Sequence, residues 1–164
     1  MPPSLIHTFA FADLVGYTVY TAVHGDEAAA DLAIGFAGEA DGIASEHGAE
    51  LVKQIGDAVL LRGTDAGAMV HLGLALSAIH PAAPWCSAVR VGMHTGTAVQ
   101  RAGDWFGTTV NLAARLVAAA GPGQVLVSEA TWRRAAATGC SVTDLGPCRF
   151  HNAPEPMGVL AVAA

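Results

Sequence analysis

The sequence predicts an α+β domain, a ferredoxin-like βαββαβ sandwich, and three observations predict it. Strand-like and helix-like stretches alternate without internal repeats or low-complexity linkers. Clusters of Pro and Gly, from His80 to Pro84 and from Gly121 to Gly123, fall between those stretches. The 164 residues suffice for one domain with a real core and leave little room for a second, so residues 1–164 are expected to form a single domain.

Residues 5–13 (LIHTFAFAD) read as a strand, and residues 26–47 as a long helix opening at Asp26 and stopped by Gly48. Residues 50–62 (ELVKQIGDAVLLR) read as two strands joined by a tight turn at Gly56 and Asp57. A helix from about Asp65 to Ile79, a strand at 86–94 and a short strand at 97–101 come next. A helix from Thr108 to Ala120, a strand at 123–128, a short helix at 128–137 and a C-terminal region of short strands complete the chain. The order β-α-β-β-α-β is the ferredoxin-like one.

Composition excludes several classes. Eight Lys and Arg against fourteen Asp and Glu give a net charge of −6, and the basic residues are scattered, which argues against a nucleic-acid partner. Apolar residues make up 52% of the chain, but no stretch reaches the roughly 18 uninterrupted apolar residues of a membrane span. The start, MPPSLIHTFAF, has no basic residue ahead of its apolar run and no cleavage pattern, so a cytoplasmic location is expected. Cys86, Cys140 and Cys148 are an odd number without a CxxC pair and read as free thiols. The seven histidines lack metal-ligand spacing.

Several polar residues stand where packing alone would not put them. Alternation places Asp13 on the face of Phe9 and Phe11, so a carboxylate ends an apolar row. A carboxylate so placed either stays neutral, caps the turn before Gly16, or holds a cation that offsets its desolvation. Asp57 at the hairpin tip reads as a turn residue or as a second metal ligand, since strands about 4.8 Å apart can bring the two carboxylates together at a divalent-metal site. Lys53 alternates with Leu51 and Ile55; it either snorkels to water or donates a hydrogen bond at the rim of an apolar slot. Arg90 alternates with the small residues Ala88 and Gly92, which leave space over the strand, so it reaches a phosphate or a surface carboxylate. Asn111 and Arg115 lie four apart on one helix face, as a ligand pair or as an exposed polar stripe. Common phosphate loops are missing: there is no GxxxxGK[ST], and GxGxxG fails at Leu126.

The segments FADLVGYT (11–18), KQIGDAV (53–59), VRVGMHTG (89–96) and DWFGTTVNLAARL (104–116) resemble, in order and spacing, the signature segments of class III adenylate cyclases, the catalytic domains of nucleotidyl cyclases. The similarity runs from about Phe9 to Glu129 and more weakly through LGPCRFHNAPEP (145–156). The resemblance implies conversion of ATP to 3′,5′-cyclic AMP and pyrophosphate, with two divalent metal ions (Mg²⁺ or Mn²⁺) at sites shared across a homodimer. By that resemblance Asp13 and Asp57 match the metal ligands, and the loop at Gly16, Tyr17 and Thr18 matches the one whose amides meet the triphosphate. Arg90 matches a triphosphate-binding arginine, Lys53 and Asp104 the pair that reads adenine, and Asn111 and Arg115 the residues that orient the ribose and stabilise charge at the α-phosphate. Guanylate cyclases typically carry Glu and Cys at the base-reading pair, so Lys53 and Asp104 argue for ATP. One departure is His151, in FHNAPEP, where relatives typically carry a triphosphate-binding lysine; an imidazole stands in place of a fixed charge. Two other classes compete. A silent cyclase-homology module for dimerisation or nucleotide binding is opposed by the filled metal, base and ribose positions, and a polymerase-like nucleotidyl transferase by the missing basic track.

Overall fold

The computed structural model describes residues 4–81, 83, 86, 88–135, 138–151 and 153–164. Residues 82 and 84 of the predicted loop, 87 of the predicted strand, 136 and 137 of the predicted helix and 152 of the resembling C-terminal motif lie outside the described residues. The elements are β1 (His7–Val15), α1 (Tyr17–His24), α2 (Asp26–Glu46), β2 (Glu50–Ile55), β3 (Ala58–Gly63), α3 (Ala66–Ser77) and β4 (Ala88–Gly96). They continue with β5 (Val99–Arg101), β6 (Asp104–Phe106), α4 (Thr108–Ala119), β7 (Val125–Ser128), α5 (Glu129–Arg134), β8 (Ser141–Cys148) and β9 (Met157–Ala163).

The main sheet runs β2-β3-β1-β4-β7-β9-β8. Its first four strands are mutually antiparallel and carry the ferredoxin-like order, with β1 at the centre between β3 and β4. β7 joins β4 in parallel after the crossover through α4, and the β8–β9 hairpin extends that side. Alternation along β1 sorts the core. Ala10, Ala12 and Leu14 face α2 and α3, while Phe9 and Phe11 face α4. The small residues on the first face match the buried alanines of α2, Ala33, Ala37, Ala40 and Ala44, and let that helix lie close to the sheet.

Local chemistry fixes the helix ends. Asp65 caps α3 by accepting from the Ala68 amide at 3.0 Å, and Ser128 caps α5 by accepting from Thr131. On the other face of the sheet, α4 presses on β4 at Gly92, where a Cβ would stand 2.1 Å from the Val117 nitrogen. The space that Ala88 and Gly92 leave over β4 is therefore filled, at Gly92, by the backbone of α4.

Three expectations are corrected. The stretch after β1 continues from Gly16 into a helix, α1, instead of a loop. The short strand at 97–101 is the first half of a separate two-stranded ribbon, β5–β6, whose second strand carries Asp104. Lys53 leaves the face of Leu51, because the register shifts between Leu51 and Lys53. Leu51 opposes Leu61 on the α2 and α3 side, whereas Lys53 opposes Leu60, which packs under α4. A bulge adds one residue and turns the following side chain over.

Candidate active site

Asp13 and Arg90 are direct cross-strand partners on β1 and β4. Their side chains form a two-point pair, Arg90 Nε donating to Asp13 Oδ1 at 2.6 Å and Nη2 to Oδ2 at 3.1 Å. Arg90 Nη1 also donates to the carbonyls of Ala118 and Ala120 at 3.2 and 3.4 Å, closing the C-terminal end of α4. The hydrogen bond to Asp13 holds the guanidinium above its already high ordinary pKa.

β1 also lies beside β3, and Asp13 opposes Ala58, the residue after Asp57. Gly56, at φ 59°, and Asp57 make the two-residue turn, with glycine where the first central position needs a positive φ. Asp13, Asp57 and Arg90 thus line one cleft of about 460 Å³ together with Gly16, Tyr17, Thr18 and Val19. Burial pushes the Asp57 carboxyl above its ordinary value, and the Asp13 charge adds to the rise.

Gly16 enters α1 in the left-handed region, φ 85°. The first helical amide bond runs from Tyr20 to the Gly16 carbonyl, so the amides of Tyr17, Thr18 and Val19 have no intrahelical acceptor and border the cleft. Such a helix start suits an anion. The Tyr17 ring itself turns to the core, and its hydroxyl donates to the Ala29 carbonyl at 2.8 Å, pinning α1 to α2.

Asn111 and Arg115 stand on the outer face of α4, since Val110, Ala113, Leu116 and Val117 take the buried one. Both are exposed and line a second cleft, about 420 Å³, with Thr108, His151 and Ala153. Arg115 makes no hydrogen bond or ion pair among the described residues, so its charge is open to a ligand. The remaining pair, Lys53 and Asp104, meets across β2 and β6 with Nζ 2.6 Å from Oδ2. The Trp105 amide donates to the other carboxylate oxygen at 2.7 Å. These bonds, the one from Lys53 first, hold the Asp104 carboxyl below its ordinary value. Neither cleft includes this pair among its described lining residues.

All ten residues singled out from the sequence are thus found in three places. Asp13, Asp57, Arg90 and residues 16–18 share one cleft, Asn111 and Arg115 share another, and Lys53 and Asp104 form a pair of their own. Sequence reasoning missed Val19 and Pro122 in the first cleft and Thr108 in the second. Their signal was adjacency alone. It also missed Arg62 and His7, which pack on Trp105 and have no sequence signal at all.

The first cleft fits a hard cation by the chemistry of its donors. Each oxygen of Asp13 keeps lone pairs beyond the one Arg90 uses, and Asp57 makes no ion pair among the described residues. Among the described residues no third His, Cys, Asp or Glu joins them. A cation there would complete its shell with water or phosphate oxygens, as Mg²⁺ commonly does when held by one or two carboxylates.

The family model described as adenylate and guanylate cyclase catalytic domain matches residues 6–157. An adenylate cyclase of Streptomyces griseus is 41% identical over 120 residues, covering 73% of this chain and 30% of that one. A pH-sensitive adenylate cyclase of Mycobacterium tuberculosis is 39% identical over 122 residues, covering 74% and 30%. A solved adenylate cyclase structure from Trypanosoma brucei, described in its monomeric state, superposes with a TM-score of 0.85 at 22% identity, over 98% of this chain and 90% of that one. The chain belongs to the adenylate and guanylate cyclase catalytic domain family. It spans about a third of the length of these curated relatives. Among the described residues, no helix is long and apolar enough to cross a membrane.

Proposed function

We propose that this chain is an adenylate cyclase domain that converts ATP to 3′,5′-cyclic AMP and pyrophosphate, with two divalent metal ions, at sites completed between two identical copies. The observation that carries this reading is the separation of the two clefts. Asp13, Asp57 and Arg90 have the acidic and phosphate-binding chemistry in one, and Asn111 and Arg115 have an amide and an open guanidinium in the other. A twofold pair that sets one cleft against the other would assemble the whole set twice, which an isolated chain does not.

In this reading Asp13 and Asp57 would hold the cations, and a bound divalent cation supplies Lewis-acid stabilisation of charge on the triphosphate. Arg90 and the amides at the start of α1 bind the β- and γ-phosphates. Lys53 donates to a ring nitrogen of adenine and Asp104 accepts from its exocyclic amine. Asn111 holds the ribose so that its 3′-oxygen lies in line with the α-phosphorus, and Arg115 stabilises the charge that grows on the α-phosphate oxygens. The 3′-oxygen forms the new bond to phosphorus, the bond to the pyrophosphate oxygen breaks, and the hydroxyl proton passes to water. No side chain becomes covalently attached. Residues 1–164 act in this reading as one domain, placed in the cytoplasm where its substrate is available.

The test is incubation of the purified chain with ATP or GTP and Mn²⁺ or Mg²⁺, followed by assay of cyclic nucleotide. Cyclic AMP from ATP, with little product from GTP, supports the reading. No product with either metal across pH 6 to 9 leaves a nucleotide-binding or dimerisation module in its place.

A further inference from the structure

Arg62 on β3 is held at three points. Its Nε donates to Glu50 Oε1 at 2.7 Å, and its Nη1 lies 2.9 Å from His7 Nδ1. Its guanidinium carbon sits 4.8 Å from the centre of the Trp105 ring. A guanidinium only donates, so His7 Nδ1 is the acceptor and the ring is neutral with its proton on Nε2. Burial, and then the Arg62 charge, hold the His7 pKa down, in keeping with that tautomer.

Trp105 is enclosed on its other sides by His7, with ring centres 4.5 Å apart, and by the edge of Phe9 at 5.7 Å. Its buried indole N–H has no hydrogen-bond partner among the described residues. The ring is thus placed by stacking and by the cation beside it, and not by its polar atom.

Trp105 comes directly after Asp104 on the three-residue strand β6, and its amide fixes one oxygen of the Asp104 carboxylate. The β5–β6 ribbon stands outside the main sheet, and a two-stranded ribbon by itself is marginally stable. Beyond its apolar contact with α4 and the bond from Thr109 to the Thr97 carbonyl, its position relative to β2, where Lys53 stands, depends on what grips Trp105.

We propose that Arg62, acting through Trp105, is a positioning residue that sets Asp104 against Lys53 and so governs the discrimination of adenine from guanine. This rests on the reading of the site as one that takes ATP. Arg62 touches no substrate in it; it fixes the seat of the residue that does.

The experiment compares the unmodified chain with Arg62→Met, Arg62→Lys, Asp104→Asn and the Arg62→Met, Asp104→Asn double variant. Initial rates with ATP and with GTP are measured alongside titration with a fluorescent ATP analogue and thermal melting. Arg62→Met is expected to raise KM for ATP and weaken the analogue about tenfold, with kcat changed less than about twofold and GTP handling unchanged. Arg62→Lys, which keeps a cation over the ring, is expected to recover most of that loss. In the Asp104→Asn background Arg62→Met should add nothing, because both changes act on one carboxylate. Equal losses on ATP and GTP, a fall in kcat alone, or the full Arg62→Met penalty in the Asp104→Asn background overturns the positioning role. Absence of cyclic AMP from the unmodified chain overturns instead the reading beneath it.

Discussion

Arg90 occupies both oxygens of Asp13, at 2.6 and 3.1 Å, in the same cleft that Asp57 enters from the neighbouring hairpin. The carboxylate assigned to the cations is thus paired with the guanidinium assigned to the triphosphate, so cation and phosphate compete with an internal partner unless they arrive together.

Arg90→Met is therefore expected to bind Mn²⁺ more tightly than the unmodified chain when no nucleotide is present, by roughly two- to fivefold, the scale for losing one competing ion pair near the surface, this one half-buried. The same variant should bind a nucleotide analogue more weakly. Electron paramagnetic resonance of free Mn²⁺ reads the first effect and an analogue titration the second. Weaker Mn²⁺ binding in the variant would show that Arg90 helps to hold the acidic pair in place for the ion.

Mixing Asp57→Ala chains with Arg115→Ala chains should restore cyclic AMP synthesis that neither has alone. Each mixed pair keeps one cleft with both carboxylates and one with both α4 residues. Arg115→Ala alone should lose about 10² to 10³ in turnover, the scale for one preorganised charge stabiliser. Confirmed mixed dimers without recovered activity would sink the shared-site arrangement.

Gly92→Ala places a methyl carbon 2.1 Å from the Val117 nitrogen, a backbone atom that cannot swing aside. Either α4 lifts from β4 or the domain loses stability, by at least about 3 kcal/mol on the scale of severe overpacking. Urea unfolding measures it, and an unchanged midpoint would mean that α4 sits on β4 more loosely than this distance requires.

His94 accepts or donates one short bond, 2.6 Å from its Nδ1 to Ser128 Oγ, and burial lowers its pKa below 6.5. The folded state therefore binds its proton less readily than the unfolded chain. Its contribution to stability is complete above pH 6.5 and is lost as pH falls from there toward the lowered folded value. His7 shifts the same way. Melting temperature should fall between pH 7 and 5, and His94→Gln should flatten that slope even if it lowers the plateau. An unchanged slope would assign the acid sensitivity elsewhere.

Local periodicity sets the legible part of this chain. Alternation correctly puts Asp13 on the face of Phe9 and Phe11, and helical spacing correctly puts Asn111 beside Arg115. Alternation misplaces Lys53 because a bulge between Leu51 and Lys53 has no compositional mark, and one added residue reverses every side chain after it. Propensity misses α1 because YTVYTAVH is rich in β-branched residues and ends at glycines, so its helicity comes from packing, including the Tyr17 bond to α2. The grip of Arg62 on Trp105 joins residues 43 positions apart in the chain, and no pattern within either segment announces it.

α4 receives Arg90 at its final carbonyls and offers Asn111 and Arg115 from its outer flank. A stiff rod of this kind acts as a lever: when phosphate draws the guanidinium away from one end, the load on the rod changes where it serves the opposite pocket. In the proposed symmetric pair the two pockets would then be mechanically in series, and filling one would be felt at the other.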